Sequence, residues 1–348
     1  MARLRRADIA GPGIARRRRG RGWEYFDEGG ERIGDLETLE RIRELAIPPA
    51  WRDVWICPYP NGHIQAIGVD AAGRKQYRYH QRWRERRDQI KFDRMTEFAR
   101  ALPTLRQAAA KDVKRKGFPR ERVLAGAARL LDRGFFRIGG EEYAEANESY
   151  GLATMKKQHV TLGPNYSISF DFPAKSGKQQ MKSLVDPDVY KLVGALKRRR
   201  AGGRELLAYQ MDGSWFDVKS TDINSYIKEV TGGDFTAKDF RTWSGTVIAA
   251  VALGMSGSVA SSKTARKRAI ARAIGEVAYH LGNTPAVARA SYIDPRVFDR
   301  YESGWVIGEG LDTLGDIEDG APAFEGPVEE AVLDLVEDEK SAALEKVA

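Results

Sequence analysis

Leu281-Gly282-Asn283-Thr284-Pro285-Ala286-Val287-Ala288-Arg289-Ala290-Ser291-Tyr292-Ile293-Asp294-Pro295 is the stretch on which the reading of this chain turns. Upstream of it, Ile270, Ile274, Val277 and Leu281 recur at helical spacing, so residues 270–280 read as a helix. Gly282-Asn283 is a stop signal. Thr284-Pro285 offers a capping hydroxyl and a first-turn proline, which start a short helix over 285–292 that ends before Pro295. Asn283 then stands at a corner, with Tyr292 about two and a half turns further on. Two readings of that tyrosine are open at this point. It is an amphipathic packer in a core, or it is a nucleophile.

The length of 348 residues allows two domains with real cores. A charged share of 30% and a hydrophobic share of 42% suit a soluble globular chain. No apolar run is long enough to span a bilayer, and the arginine-rich start lacks the apolar segment of a secretory signal. Cys57 is the single cysteine, which excludes an internal disulfide and fits a reducing compartment. His63, His80, His159 and His280 are scattered, so a structural zinc site is not expected. The net charge of +8 is unevenly spread: residues 311–348 carry −10 and the rest of the chain +18. So basic a body points to a polyanion, most economically nucleic acid. A solvated basic surface or an anionic membrane surface is the alternative.

In chain order, residues 1–22 read as a basic, disordered arm, too poor in apolar residues to fold alone. Residues 23–90 read as a β-rich domain, with strands at 23–26, 54–57 and 64–69 and a helix over 36–45 capped by Asp35. Arg74-Lys75-Gln76-Tyr77-Arg78-Tyr79-His80 alternates basic and aromatic residues. That pattern serves phosphate and base-edge contacts, or else a half-buried strand with both tyrosines packed inward. From 91 to 310 the patterns turn mainly helical. Helices are expected over 92–102 and 104–116, split by Pro103, then over 121–131, 186–200, 221–230 and 238–254. Strands are expected at 158–162 and 166–172, closed by a turn over 173–178. Residues 311–348 form an acidic tail read as mobile, either shielding a basic groove or simply aiding solubility.

Breaking a phosphodiester without a metal requires an in-line nucleophile, donors for the equatorial oxygens and a proton for the leaving 5′-oxygen. Arginine suits the oxygens because its fork matches phosphate and never deprotonates. Lysine can give up a proton when desolvated. The chain offers Arg137, Lys175, Arg241, Asn283 and Tyr292 for these parts, none of them convincing alone.

Taken as an ordered set, these residues resemble the type IB DNA topoisomerases of the compact poxvirus and bacterial kind. Phe136-Arg137-Ile138-Gly139, with Tyr150 to Met155 and Lys157-Gln158-His159-Val160, resembles the family's first-arginine segment. Ala174-Lys175-Ser176-Gly177-Lys178 is similar to its hairpin lysine motif, with Lys175 rather than Lys178 as the match. Lys238-Asp239-Phe240-Arg241-Thr242-Trp243 resembles its second-arginine motif, and residues 281–292 its nucleophile segment. The resemblance runs from about residue 23 to 301. It implies an α+β fold: a small N-terminal antiparallel β-sheet domain, and a larger mainly helical catalytic domain with a short β-sheet or hairpin. It implies that Tyr292 forms a 3′-phosphotyrosyl bond, that Arg137, Arg241 and Asn283 stabilise the pentacoordinate phosphorus, and that Lys175 protonates the leaving oxygen. Arg74, Gln76, Tyr77, Tyr79 and Lys157 would contact duplex DNA. No ATP, metal or other cofactor is expected, and no G-x-x-x-x-G-K-[ST] loop is present. The implied protein is a monomer that clamps DNA in the cytoplasm, on the nucleoid. One departure stands out: Asn283 occupies a place where the family usually has histidine, which keeps a neutral donor but no cation.

Two rivals remain. A tyrosine recombinase shares the chemistry, but usually has H-x-L-R-H at the second arginine and L-G-H near the nucleophile. The other rival is a DNA-binding protein in which Tyr292 is structural.

Overall fold

The computed structural model describes residues 3–256, 262–308, 311, 325–339 and 341–346. The chain divides into two compact units, Met1–Asp93 and Arg94–Ala348, close to the boundary expected at residue 90. The fold is α+β, with an N-terminal antiparallel sheet and a larger, mainly helical region.

The first unit holds β1 (Ile14–Arg19), β2 (Gly22–Phe26), α1 (Leu36–Glu44), β3 (Arg52–Ile56), β4 (Ile64–Val69) and β5 (Lys75–Tyr79). The strands form one antiparallel sheet in the order β2-β1-β3-β4-β5. Asp35 caps α1 as expected, accepting from the Thr38 amide at 2.8 Å. Ile14, Ile42, Val54, Ile56 and Ala66 make the core, flanked by Tyr25, Ile33 and Trp51.

The arginine run expected in a disordered arm is instead strand β1, paired with β2 on one side and β3 on the other. Ile14 anchors it inward at 5% exposure. Arg16 stacks on Trp23 with its guanidinium carbon 3.9 Å from the ring centre, and donates to the Trp51 carbonyl at 2.7 Å. Arginine stems and flat heads cover apolar surface, which a count of apolar letters overlooks. Further upstream, Arg5 bridges to Gly62, so the start of the described chain is also tied to the sheet.

The boundary between the units falls inside α2 (Gln81–Asp112), a single helix that runs through Pro103, where a break between 92–102 and 104–116 was expected. Pro103 lacks an amide and costs a helix interior about 3 kcal/mol. Phe98, Leu102 and Leu105 on the same helix are at most 2% exposed. At about 1.5–3 kcal/mol for each buried large apolar side chain, their packing outweighs the proline.

The second unit continues with α3 (Arg120–Gly134), α4 (Glu141–Asn147), β6 (Val160–Leu162), β7 (Ser167–Pro173), β8 (Gln179–Val185) and α5 (Pro187–Arg198). Then come the hairpin β9 (Ala208–Met211) and β10 (Ser214–Asp217), α6 (Ser220–Thr231), α7 (Ala237–Gly254), α8 (Lys263–Leu281), α9 (Pro285–Tyr292), α10 (Pro295–Glu302) and β11 (Trp305–Ile307). The last elements are α11 (Pro327–Glu337) and β12 (Leu344–Lys346). Strands β6, β7 and β8 form an antiparallel sheet in that order. Helix α7 is the hub: α3, α6, α8, α9, α10 and α11 all pack on it. It is buried over most of its length because Ala, Gly, Thr and Val let neighbours approach from every side.

The acidic C-terminal segment was expected to be mobile. Its described parts are packed instead. Val328, Ala331, Val332 and Leu335 of α11 are buried, at helical spacing. Glu329 accepts from the Trp243 indole at 2.8 Å, and Arg106 lies between Glu329 and Asp132. Strand β12 pairs with β11. Residues 312–324 of that segment lie outside the described residues.

Candidate active site

The site is built on the corner between α8 and α9. Gly282 sits in the left-handed region at φ +60°, which favours glycine. Its amide donates to the Tyr279 carbonyl at 3.1 Å, and the Asn283 amide donates to the Ala278 carbonyl at 2.9 Å. These two bonds make a Schellman ending. Thr284 then caps α9, accepting from the Val287 amide at 3.3 Å, with Pro285 in the first turn. Helix α9 covers Pro285–Tyr292, the bounds expected from its cap and stop signals.

A Schellman ending leaves the last carbonyls of the helix without helical partners. Here each takes a cation. The His280 carbonyl accepts from Lys182 Nζ at 3.2 Å, that of Leu281 from Arg241 Nη2 at 2.8 Å, and that of Gly282 from Arg137 Nη2 at 2.8 Å. Asn283 Oδ1 also accepts from Arg137 Nη2, at 2.6 Å. With its oxygen so occupied, the Asn283 carboxamide keeps its Nδ2 buried and without a partner.

Arg241 comes from the first turns of α7, whose start is fixed by a capping box between Thr236 and Asp239. It is 4% exposed. Its Nη1 donates to the Phe135 carbonyl at 2.6 Å, which Phe135 presents from a left-handed conformation at φ +52°. Its Nε is buried and unpartnered. The guanidinium carbon lies 5.2 Å from the centre of the Tyr292 ring. One turn along α7, Gly245 makes room for the tyrosine: a Cβ there would come within 2.5 Å of the Tyr292 carbonyl oxygen. Helix α7 therefore carries both a guanidinium and the seat of the phenol.

Arg137 follows α3 and is set by a crossing of two segments. The Leu152 amide donates to the Arg137 carbonyl at 2.9 Å, and the Ala153 amide to that of Ile138 at 2.7 Å. Gly139 and Gly151 touch through their backbones, and a Cβ on Gly151 would lie 2.4 Å from the Gly139 nitrogen. This explains why the Phe136–Gly139 and Tyr150–Met155 stretches belong together.

The electrostatics follow from these partners. Among the described residues, every acceptor bonded to Arg137 or Arg241 is neutral. Burial lowers the affinity of both guanidiniums for their protons; in Arg241 the nearby Arg137 lowers it further, and in both Tyr292 opposes the shift. Two largely buried cations without a counter-ion are costly unless an anion joins them. The cluster has the chemistry of a phosphate cradle.

The structure thus brings together Arg137, Arg241, Asn283 and Tyr292. It does not join Lys175 to them. Lys175 opens a tight turn, Lys175–Gly177, at the tip of the β7–β8 hairpin, where it is exposed. The same hairpin reaches the corner lower down, through Gln180 and Lys182. A Cβ on Gly282 would lie 2.6 Å from Gln180 Oε1. Neither residue was anticipated. The available signal was the alternation in β8, where Gln180, Lys182 and Leu184 are the half-buried set.

Of the residues expected to touch DNA, Tyr77 and Tyr79 are 39% and 40% exposed, stacked with ring centres 5.9 Å apart. The inward-packed reading of that strand is therefore corrected. Gln76 and Arg74 both bond Asp70, at 3.0 and 2.9 Å. Lys157 donates to the Arg199 carbonyl at 3.1 Å, within the second unit. Among the described residues no cluster of His, Cys, Asp and Glu could hold a metal ion, and no helix is long and apolar enough to cross a membrane.

Comparison with known proteins identifies the family. Residues 80–304 match the family model for the catalytic core of eukaryotic DNA topoisomerase I, and residues 22–70 match that for the N-terminal domain of bacterial DNA topoisomerase IB. DNA topoisomerase 1B of Acanthamoeba polyphaga mimivirus is 34% identical over 286 residues, which is 80% of this chain and 84% of the viral protein. Arabidopsis thaliana DNA topoisomerase 1 alpha is 30% identical over 139 residues, 40% of this chain but only 14% of the plant protein. Schizosaccharomyces pombe DNA topoisomerase 1 is 28% identical over 158 residues, 45% of this chain and 18% of the yeast protein. The chain belongs to the type IB DNA topoisomerases, and is an enzyme of the isomerase class.

Proposed function

We propose that this enzyme relaxes supercoiled duplex DNA by cutting and resealing one strand through Tyr292, without ATP and without a metal. The observation that carries this reading is the pair of largely buried guanidiniums, bonded among the described residues only to neutral acceptors, with the phenol ring 5.2 Å from one of them.

On this reading the Tyr292 oxygen attacks phosphorus in line and its proton passes to solvent water. The bond from phosphorus to the 5′-oxygen breaks, and a 3′-phosphotyrosyl ester remains. Arg137 and Arg241 hold the equatorial oxygens, where charge grows in the transition state. Asn283 Nδ2 supplies a neutral hydrogen bond to the same oxygens. Lys175, brought in from the hairpin tip when DNA is bound, gives its proton to the departing 5′-oxygen with help from Arg137. The ester conserves the energy of the original linkage, so rotation of the cut strand and reversal of the steps need no nucleotide. Tyr77, Tyr79, Gln76 and Arg74 contact the duplex from the first unit, the last two exchanging Asp70 for DNA. The working form is a monomer.

Relaxation of supercoiled plasmid in EDTA without nucleotide tests the reading, with Tyr292→Phe beside the parent. The parent yields a ladder of relaxed topoisomers. The variant binds DNA normally and loses attachment and relaxation by at least about 10⁴-fold. Relaxation by the variant would remove Tyr292 from the mechanism.

A further inference from the structure

The three cations on successive carbonyls are not equally accounted for. Arg137 and Arg241 have parts in the proposed reaction, but Lys182 has none. It is nonetheless built into the same cradle. Its Nζ bonds the His280 carbonyl at 3.2 Å, the residue before the one that holds Arg241. The ammonium lies 5.8 and 5.6 Å from the ring centres of Phe135 and Phe136, the two residues that precede Arg137. Two positions earlier in β8, Gln180 abuts Gly282. One face of β8 therefore runs along the end of α8, with Lys182 as its charged contact.

We propose that Lys182 is a positioning residue of the transfer site: it ties the β7–β8 hairpin to the carbonyl end of α8, and so sets the corner from which Arg137, Arg241 and Asn283 are aimed. The proposal rests on the phosphoryl-transfer reading above. A cation at a helix C-terminus is favoured by the helix dipole. The bond is thus strongest with the amine protonated. The same strand continues from the turn that bears Lys175, which makes Lys182 the link between the proton donor and the phosphate cradle.

The charged and titratable groups around Lys182 are Arg133 and Arg137 from the α3 side, Arg241 from α7, and Tyr279 and His280 from α8. Burial, then Arg241, then Arg137 pull its ammonium down to about 7. The sign is the reverse of a salt-bridged lysine: protonation opposes folding, increasingly as pH falls from the ordinary lysine range towards 7. A bound phosphate opposes those repulsions, so DNA favours the protonated amine. The tie is then at full strength in the complex at pH 7 and weakens as pH rises.

The test is the single-turnover rate of covalent attachment to DNA between pH 6 and 9, for the parent, Lys182→Met and Lys182→Arg. Lys182→Met is expected to attach about 100-fold more slowly at pH 7, the scale of a misplacement of about 1 Å. Lys182→Arg is expected to recover most of the rate. Both variants are expected to lose the fall in rate that the parent shows above pH 7, since neither side chain titrates there. Lys182→Gln, which keeps a polar head, is measured alongside, so that a folding failure of the methionine variant does not end the comparison. The proposal is overturned if the methionine and glutamine variants attach within about threefold of the parent, if arginine is no better than methionine, or if the high-pH fall survives in all three variants. A parent that never attaches to DNA would instead overturn the reading of the reaction itself.

Discussion

In the proposed reaction the α8–α9 corner and the tip of the β7–β8 hairpin both supply cations, and the fold treats them oppositely. At the corner, Arg137 and Arg241 are pinned by main-chain oxygens of the fold itself. At the tip, Lys175 is exposed and bonded to none of them. The contrast separates two demands of catalysis. Charge stabilisation works best when it is fixed in advance, since dipoles that need not reorganise act at full strength. Proton delivery tolerates late arrival, because the proton is needed only as the 5′-oxygen departs.

That contrast can be broken most decisively at Arg241. Replacing it with alanine is expected to slow attachment about 10³-fold, with little change in DNA affinity. A substrate in which sulfur replaces the bridging 5′-oxygen should not restore the rate, because the lost function is charge stabilisation. Lys175→Ala is expected to slow attachment about 10²-fold. The sulfur substrate should restore that rate, because a thiolate departs without a proton. Equal rescue of both variants would merge the two regions into one function. Gly245→Ala sharpens the claim that the corner is preset. Its Cβ meets the Tyr292 main chain, so attachment should fall about tenfold or more while DNA binding persists, as read by single-turnover kinetics. The smallest effect is expected at the turn itself. Gly282→Ala keeps every charged group but strains a left-handed residue and displaces the head of Gln180, costing about 1–2 kcal/mol in urea denaturation.

Much of this corner was legible from the chain alone. Asn283, Thr284 and Pro285 wrote a stop, a cap and a first turn, and α9 has the bounds they imply. Local signals of that kind concern neighbouring residues and survive translation into structure. What escaped reading depends on partners far along the chain. Arg16 reads as a disordered cation until Trp23 and Trp51 are placed beside it. Pro103 reads as a break until the burial of Phe98 and Leu105 is known. The acidic letters around Glu329 read as a tail, because Trp243 lies more than eighty residues away and Arg106 more than two hundred. Lys182 was the least visible: a lone lysine in a strand carries no mark that its carbonyl partner ends a helix 98 positions later.

The row of carbonyls at the end of α8 has a consequence for how the enzyme tolerates change. Oxygen atoms of the peptide backbone are present whatever side chain is attached. The aim of the two guanidiniums is therefore stored in the path of the chain, and no exchange of His280 or Leu281 can delete it outright. Drift at the exposed His280 is buffered, while vulnerability gathers at the fully buried Leu281 and at Gly245, where the path itself would have to bend. Anyone transplanting this cradle into another scaffold would need to copy a trajectory before choosing a single functional residue.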